Sequence, residues 1–139
     1  MRDETRTRQP KIIGIALQFA REKSTAVSIR RVERGAVRIG DQILTENVLI
    51  FRDEVQRGIA VADVAALQEP DLEELLKEQP EIVLLGTGWR TRRPPRELVF
   101  ALARRGIGFE SMDTPAACRT FNILLSEGRD VAAILIIKE

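Results

Sequence analysis

The sequence predicts an α/β domain: a mixed sheet with antiparallel hairpins in its amino-terminal half and a parallel βαβαβ unit towards its carboxyl end. Three observations carry that expectation. Short, largely apolar runs at Ile82–Gly86, Gly108–Met112 and Val131–Ile137 each lead into or out of small, polar turns. The two segments between them bear helix start and stop signals. From Ala26 to Ile39 the hydrophobic period is two, the strand period. Strand–helix–strand–helix–strand with short connections requires parallel pairing and right-handed crossovers, so the three carboxyl-terminal strands should be neighbours.

Taken in order, residues 1–25 read as a charged tail followed by a short amphipathic extension, and residues 26–139 as the domain. Met1 to Pro10 has no apolar period and reads as a mobile tail. Ile12, Ile13, Ala16, Leu17 and Ala20 recur at helical spacing, either as an extension laid on the domain or as a docking element. Val27 and Ile29 alternate with Ser28 and Arg30, Val37 and Ile39 flank Arg38, and Gly35 and Gly40 supply turns between short strands. Val48-Leu49-Ile50-Phe51 is apolar on both faces, as befits a strand covered on both sides. Residues 53–68 fit neither period well.

Asp71-Leu72-Glu73-Glu74 reads as a capped helix start, with Leu72, Leu75 and Leu76 as its buried stripe and Pro80 as its stop. Pro95 suits the first turn of the next helix, whose apolar positions are Leu98, Val99, Ala101 and Leu102. Arg104, Arg105 and Gly106 close it. Thr114 is expected to cap the last helix, with Pro115 behind it and Gly128 past its end.

Composition bounds the function. A chain of 139 residues fits one domain that buries roughly two thirds of its unfolded surface. Net charge is +1 with interspersed signs, which gives no case for nucleic acid. Histidine and tyrosine are absent and there is one cysteine, so histidine-based triads, histidine-ligated metals and thiolate zinc sites are excluded. No cofactor is implied. No apolar run is long enough to span a bilayer, and Ile12 to Ala20 makes a poor secretory leader, so a cytoplasmic location is expected.

Leu84-Leu85-Gly86-Thr87-Gly88, Met112-Asp113-Thr114, Ala116-Ala117-Cys118-Arg119-Thr120-Phe121-Asn122, and Leu124-Leu125-Ser126-Glu127-Gly128-Arg129 before Val131-Ala132-Ala133 together resemble the Mth-type domain family. The similarity covers roughly residues 26–138 and is strongest after Pro80. It implies a small α/β domain. Because eukaryotic relatives include a mitochondrial assembly factor for a respiratory complex, it also implies a binding or assembly role with a protein partner. It supplies no catalytic residues.

Two functional readings follow. The first is a non-catalytic binding or assembly module. The second is a small-anion or phosphate-binding protein or enzyme at the carboxyl edge of the parallel strands, where open α/β folds hold ligands. Its candidate residues are Gly86, Thr87, Gly88, Trp89, Arg90, Asp113, Thr114, Cys118 and Arg119, with Arg92 and Arg93 nearby. The amides of Ala116, Ala117 and Cys118 would face that edge. Against it, Gly86 and Gly88 also serve a simple tight turn, and Asp113 repels an anion. Cys118 shares a stripe with Phe121 and Leu125, which favours packing over reactivity. Trp89 covers the core edge or anchors an interface. The face holding Arg119, Asn122 and Ser126 is either solvated or reaches the loop after Leu85. Glu73, Glu74, Glu78 and Glu81 read as a solvated face.

Overall fold

The structure, a computed structural model, describes residues 27–59 and 63–139. The predicted tail and amphipathic extension, with Ala26 and Val61, lie outside the described residues. The chain runs β1 (Ile29–Glu33), β2 (Ala36–Ile39), β3 (Gln42–Leu44), β4 (Val48–Phe51), β5 (Glu54–Arg57), α1 (Glu73–Leu76), β6 (Ile82–Gly86), α2 (Arg96–Arg104), β7 (Gly108–Met112), α3 (Thr114–Ser126) and β8 (Val131–Leu135). Turns of 3₁₀ helix at Val64–Ala66 and Glu69–Leu72 precede α1.

The antiparallel hairpins are divided between two sheets. β1, β2 and β3 form a three-stranded sheet, while β5-β4-β8-β6-β7 is the order of a five-stranded mixed sheet. In the latter, β6 pairs parallel with both β7 and β8, as the sequence predicts, and β4 pairs antiparallel with β8.

The wholly apolar strands β4, β6 and β8 are apolar because both faces of the large sheet are covered. Leu49, Val83, Leu85, Ala132, Ile134 and Ile136 point to the side packed by Leu72, Leu75, Leu76, Leu98 and Leu102. Val48, Ile50, Leu84, Ala133, Leu135 and Ile137 point to the other side. There Ala117, Cys118 and Phe121 of α3 and Val37, Ile39 and Leu44 of the small sheet complete a second core. The small sheet and α3 thus share one layer.

Two capping expectations are corrected. Gln68, not Asp71, begins the helical segment before α1. Asp71 reaches back to accept from the Gln68 N–H (2.8 Å), because Pro70 already suits the first turn. The α-helical part is only one turn long, Glu73–Leu76, although its leucine stripe is buried as expected. At α3, Asp113 is the N-cap and Thr114 lies inside the helix, for a reason found in the partners of its hydroxyl.

Candidate functional site

At the carboxyl edge of the parallel strands, β6 ends on Gly86, β7 ends on Met112, and α3 begins at Thr114 beside them. Gly86 lies directly beneath that helix start. A Cβ on it would meet Thr114 Oγ1 at 2.9 Å, Thr114 Cα at 3.0 Å and Leu135 at 3.1 Å, so only glycine lets α3 approach this closely.

Thr114 is fully buried, and its hydroxyl has two tasks. It donates to the Ile136 carbonyl (2.8 Å) and accepts from the Gly88 N–H (2.9 Å). The Thr114 N–H in turn donates to the Gly88 carbonyl (2.7 Å), closing a reciprocal pair. With that hydroxyl committed across the strand ends, the cap falls to Asp113, whose carboxylate accepts from the Ala116 N–H (2.8 Å). The Asp113 carbonyl takes the Ala117 N–H (2.9 Å), and Pro115 has none to offer. Every donor of the first helical turn is therefore spoken for within the chain.

The loop after β6 is equally closed. The Thr87 N–H donates to the Met112 carbonyl (2.8 Å), and the buried Thr87 hydroxyl donates to the Arg90 carbonyl (2.7 Å). Gly88 sits at φ +100°, and a Cβ on it would press into the Glu139 carboxylate at 2.9 Å. That carboxylate accepts from the Trp89 N–H (2.7 Å). The buried Asn47 side chain accepts from the Ile137 and Lys138 N–H groups at 2.7 and 2.9 Å, holding the segment that presents Glu139.

The structure thus brings Gly86, Thr87, Gly88, Asp113 and Thr114 together. Trp89 stands half-buried at their margin. Arg90 contributes a carbonyl while its side chain is exposed, and Arg119 is exposed on α3. Arg92 faces Asp63 at 4.0 Å, both largely in solvent.

Cys118 turns into the core shared with Phe121 and Leu135. Burial pushes its thiol up from 9.0 to about 12, outweighing the opposite pull of Arg119, so it stays protonated at neutral pH. Asn122 satisfies neither alternative read from the sequence. Its amide donates to the Ile29 carbonyl (2.7 Å) and its oxygen accepts from the Ile29 N–H (2.8 Å), clamping β1 to α3 at an irregularity in the β1–β2 register.

Sequence reasoning missed Glu139, Asn47 and the Asn122 clamp. Their partners lie 50 to 93 residues away, where no local pattern reaches. Among the described residues, no group of acidic or cysteine side chains is arranged to hold a metal ion, and no helix is long and apolar enough to cross a membrane.

Comparison with known proteins places this architecture. Human NADH dehydrogenase (ubiquinone) 1 alpha subcomplex assembly factor 3 is 38% identical over 103 residues, 74% of this chain and 56% of that protein, so the chain spans little more than half of that relative's length. A crystal structure described as an outer membrane protein from Bartonella henselae matches with TM-score 0.73 and 32% identity, covering 84% of this chain and 98% of that one. A Bordetella pertussis protein described as an Mth938-like domain has TM-score 0.65 at 24% identity over 81% of this chain and 87% of its own, a likeness of fold alone. Residues 29–136 match the family described as protein of unknown function DUF498/DUF598. The chain belongs to that family, and its fold is the Mth-type domain that its carboxyl-terminal motifs resemble.

Proposed function

We propose that this protein is a non-catalytic binding module that assists assembly of a respiratory membrane complex by engaging a protein partner in the cytoplasm. One observation carries the reading. The edge where an open α/β fold would hold a substrate is occupied by the chain's own hydrogen bonds, with the Asp113 carboxylate already on the Ala116 amide and the Asp113 carbonyl on that of Ala117. A site of this kind rigidifies the domain and leaves its outer surfaces to act. The absence of histidine from the sequence removes the commonest general base, and the name of the human relative supports an assembly role.

The test is genetic and biochemical together. Cells lacking the protein should accumulate incompletely assembled respiratory complex on native gels, and the wild-type chain should restore it. Normal assembly without the protein overturns the reading.

One observation favours the second reading, a small-anion site: the Trp89 N–H does hold a carboxylate, that of Glu139. An external anion would have to displace it. Melting-temperature screens against phosphate, nucleotides and small carboxylates distinguish the two, since a ligand bound only by the folded state raises the melting temperature. A shift abolished by Arg90→Ala favours the anion.

A further inference from the structure

The five-stranded sheet has two edges, and they are built differently. β5 carries Glu54, Gln56 and Arg57 exposed along its length, a charged edge of the kind that resists further pairing. β7 has Glu110 as its only charge.

The direction of its backbone groups follows from two bonds. The Gly108 N–H donates to Glu81, and the Met112 carbonyl accepts from Thr87. Backbone groups alternate along a strand, so residues 108, 110 and 112 face β6, while Phe109 and Ser111 turn their N–H and C=O groups outward. No strand among the described residues takes them up.

Beside that edge lies an open groove of about 610 Å³ whose lining includes Arg93, Arg96, Val99, Phe100 and Phe109, with Glu110 as its one carboxylate. The helix α2 buries Leu98, Ala101 and Leu102, yet it carries Val99 and Phe100 on its outer side at 37% and 53% exposure, one turn from Arg96. Phe109 is half-buried against the core below them. Arg93 and Arg96 form no ion pair with any described residue.

We propose that this edge is the docking site of a partner protein: an extended segment that carries an apolar and an acidic residue two positions apart, and therefore on one face, adds as a strand beside β7. It seats an apolar side chain among Val99, Phe100 and Phe109 and turns a carboxylate toward Arg93 or Arg96. The inference rests on the module reading above.

Charge selects this occupant over two others. A second copy pairing β7 with β7 through the Phe109 and Ser111 backbone groups would set Glu110 against Glu110, and like charges directly opposite destabilise a strand pair. Residues 1–26 of the chain carry Arg2, Arg6, Arg8, Lys11, Arg21 and Lys23 against Asp3, Glu4 and Glu22, the wrong sign for an arginine-lined groove.

A phage-displayed library of random dodecapeptides, selected against the full chain, tests it. Selected peptides should be enriched in acidic and large apolar residues and should shift the Phe109 and Ser111 amide resonances. They should also slow exchange of those amides and lose about tenfold or more in affinity to Arg96→Glu and to Phe100→Ser. Both positions are exposed, and the amide spectrum of each variant reports whether it folds. Binders that are basic, or that are unaffected by either folded variant, overturn the proposal. Binders that map to another face, or a library yielding no binder, overturn the groove, whereas the module reading stands or falls on the assembly assay. A dimer in sedimentation that Phe100→Ser dissolves assigns the edge to a second copy and likewise overturns it.

Discussion

Replacing Asn122 by alanine tests whether one side chain holds the small sheet to α3. Its carboxamide makes two bonds to Ile29, at 2.7 and 2.8 Å, and Ile29 is itself 6% exposed. Asn122→Ala leaves the Ile29 N–H and C=O without these partners. A buried polar group stranded in this way costs about 1–3 kcal/mol, and both bonds are only part-buried, so the lower end applies: about 1 kcal/mol each, about 2 kcal/mol in all. Urea titration followed by far-UV circular dichroism measures the loss, and amide exchange at Ile29 should quicken in step.

Asn122→Asp sharpens the argument. It keeps the acceptor, loses the donor and points a carboxylate at the Ile29 carbonyl. That repulsion raises the carboxyl's pKa in the folded state, so folding favours the protonated form. Relative to wild type, this variant should gain stability as pH falls from 7 towards 4, when the protonated acid again donates. A loss below about 0.5 kcal/mol for Asn122→Ala, or unchanged exchange at Ile29, would refute the clamp.

The remaining predictions concern the strand-end joint and the core beneath it. Thr114→Val keeps the volume but strands the Gly88 N–H and Ile136 carbonyl in a buried position, which should cost about 2–4 kcal/mol in denaturant titration. Gly86→Ala drives a methyl into the α3 backbone and should cost about 1–3 kcal/mol. Gly108→Ala meets its nearest neighbours at 3.5 Å and should change stability far less. Cys118 should label slowly with thiol reagents in the native state, and Cys118→Ala should cost about 1 kcal/mol. Because burial raises the folded thiol's pKa from 9.0 to about 12, the folded state binds the proton more tightly. Stability from this group is full below pH 9 and falls by about 1.4 kcal/mol per unit between pH 9 and 12. Comparing wild type with Cys118→Ala across that window isolates the effect.

The parallel unit was legible because each of its strands and helices advertises itself locally. The runs Ile82–Gly86 and Val131–Leu135 are apolar on both faces, and Pro95, Pro115, Gly106 and Gly128 mark helix ends by chain stereochemistry alone. Helix starts were less legible, because several residues in one stretch qualify as caps. Thr114 and Asp113 are equally good on paper, and the tertiary bond from Thr114 to Ile136 decides between them. The separation of β1–β3 into a sheet of their own also escaped the sequence. Period-two alternation reveals that a strand has an inner face but not which layer it faces. The candidate site suffered most: Gly86 and Thr114 signal a close approach, yet whether the Trp89 amide remains free depends on Glu139 and on Asn47 behind it, which no spacing rule connects to that loop.

The position of β8 has a consequence for how the protein is made. It lies between β4 and β6, and among the described residues no other strand joins the β4–β5 hairpin to the β6–β7 pair. A nascent chain that has emerged only as far as α3 therefore holds two halves of a sheet with no hydrogen bonds between them. The facing edges of β4 and β6 stay unpaired until Val131–Leu135 leaves the ribosome. Folding of the large sheet then becomes a late, concerted event with long-range pairing, slow by its topology and exposed to aggregation while it waits. A ribosome stalled before Val131 should present a chain that proteases cut freely and chaperones retain. One released just past Ile137 should become resistant in a single step.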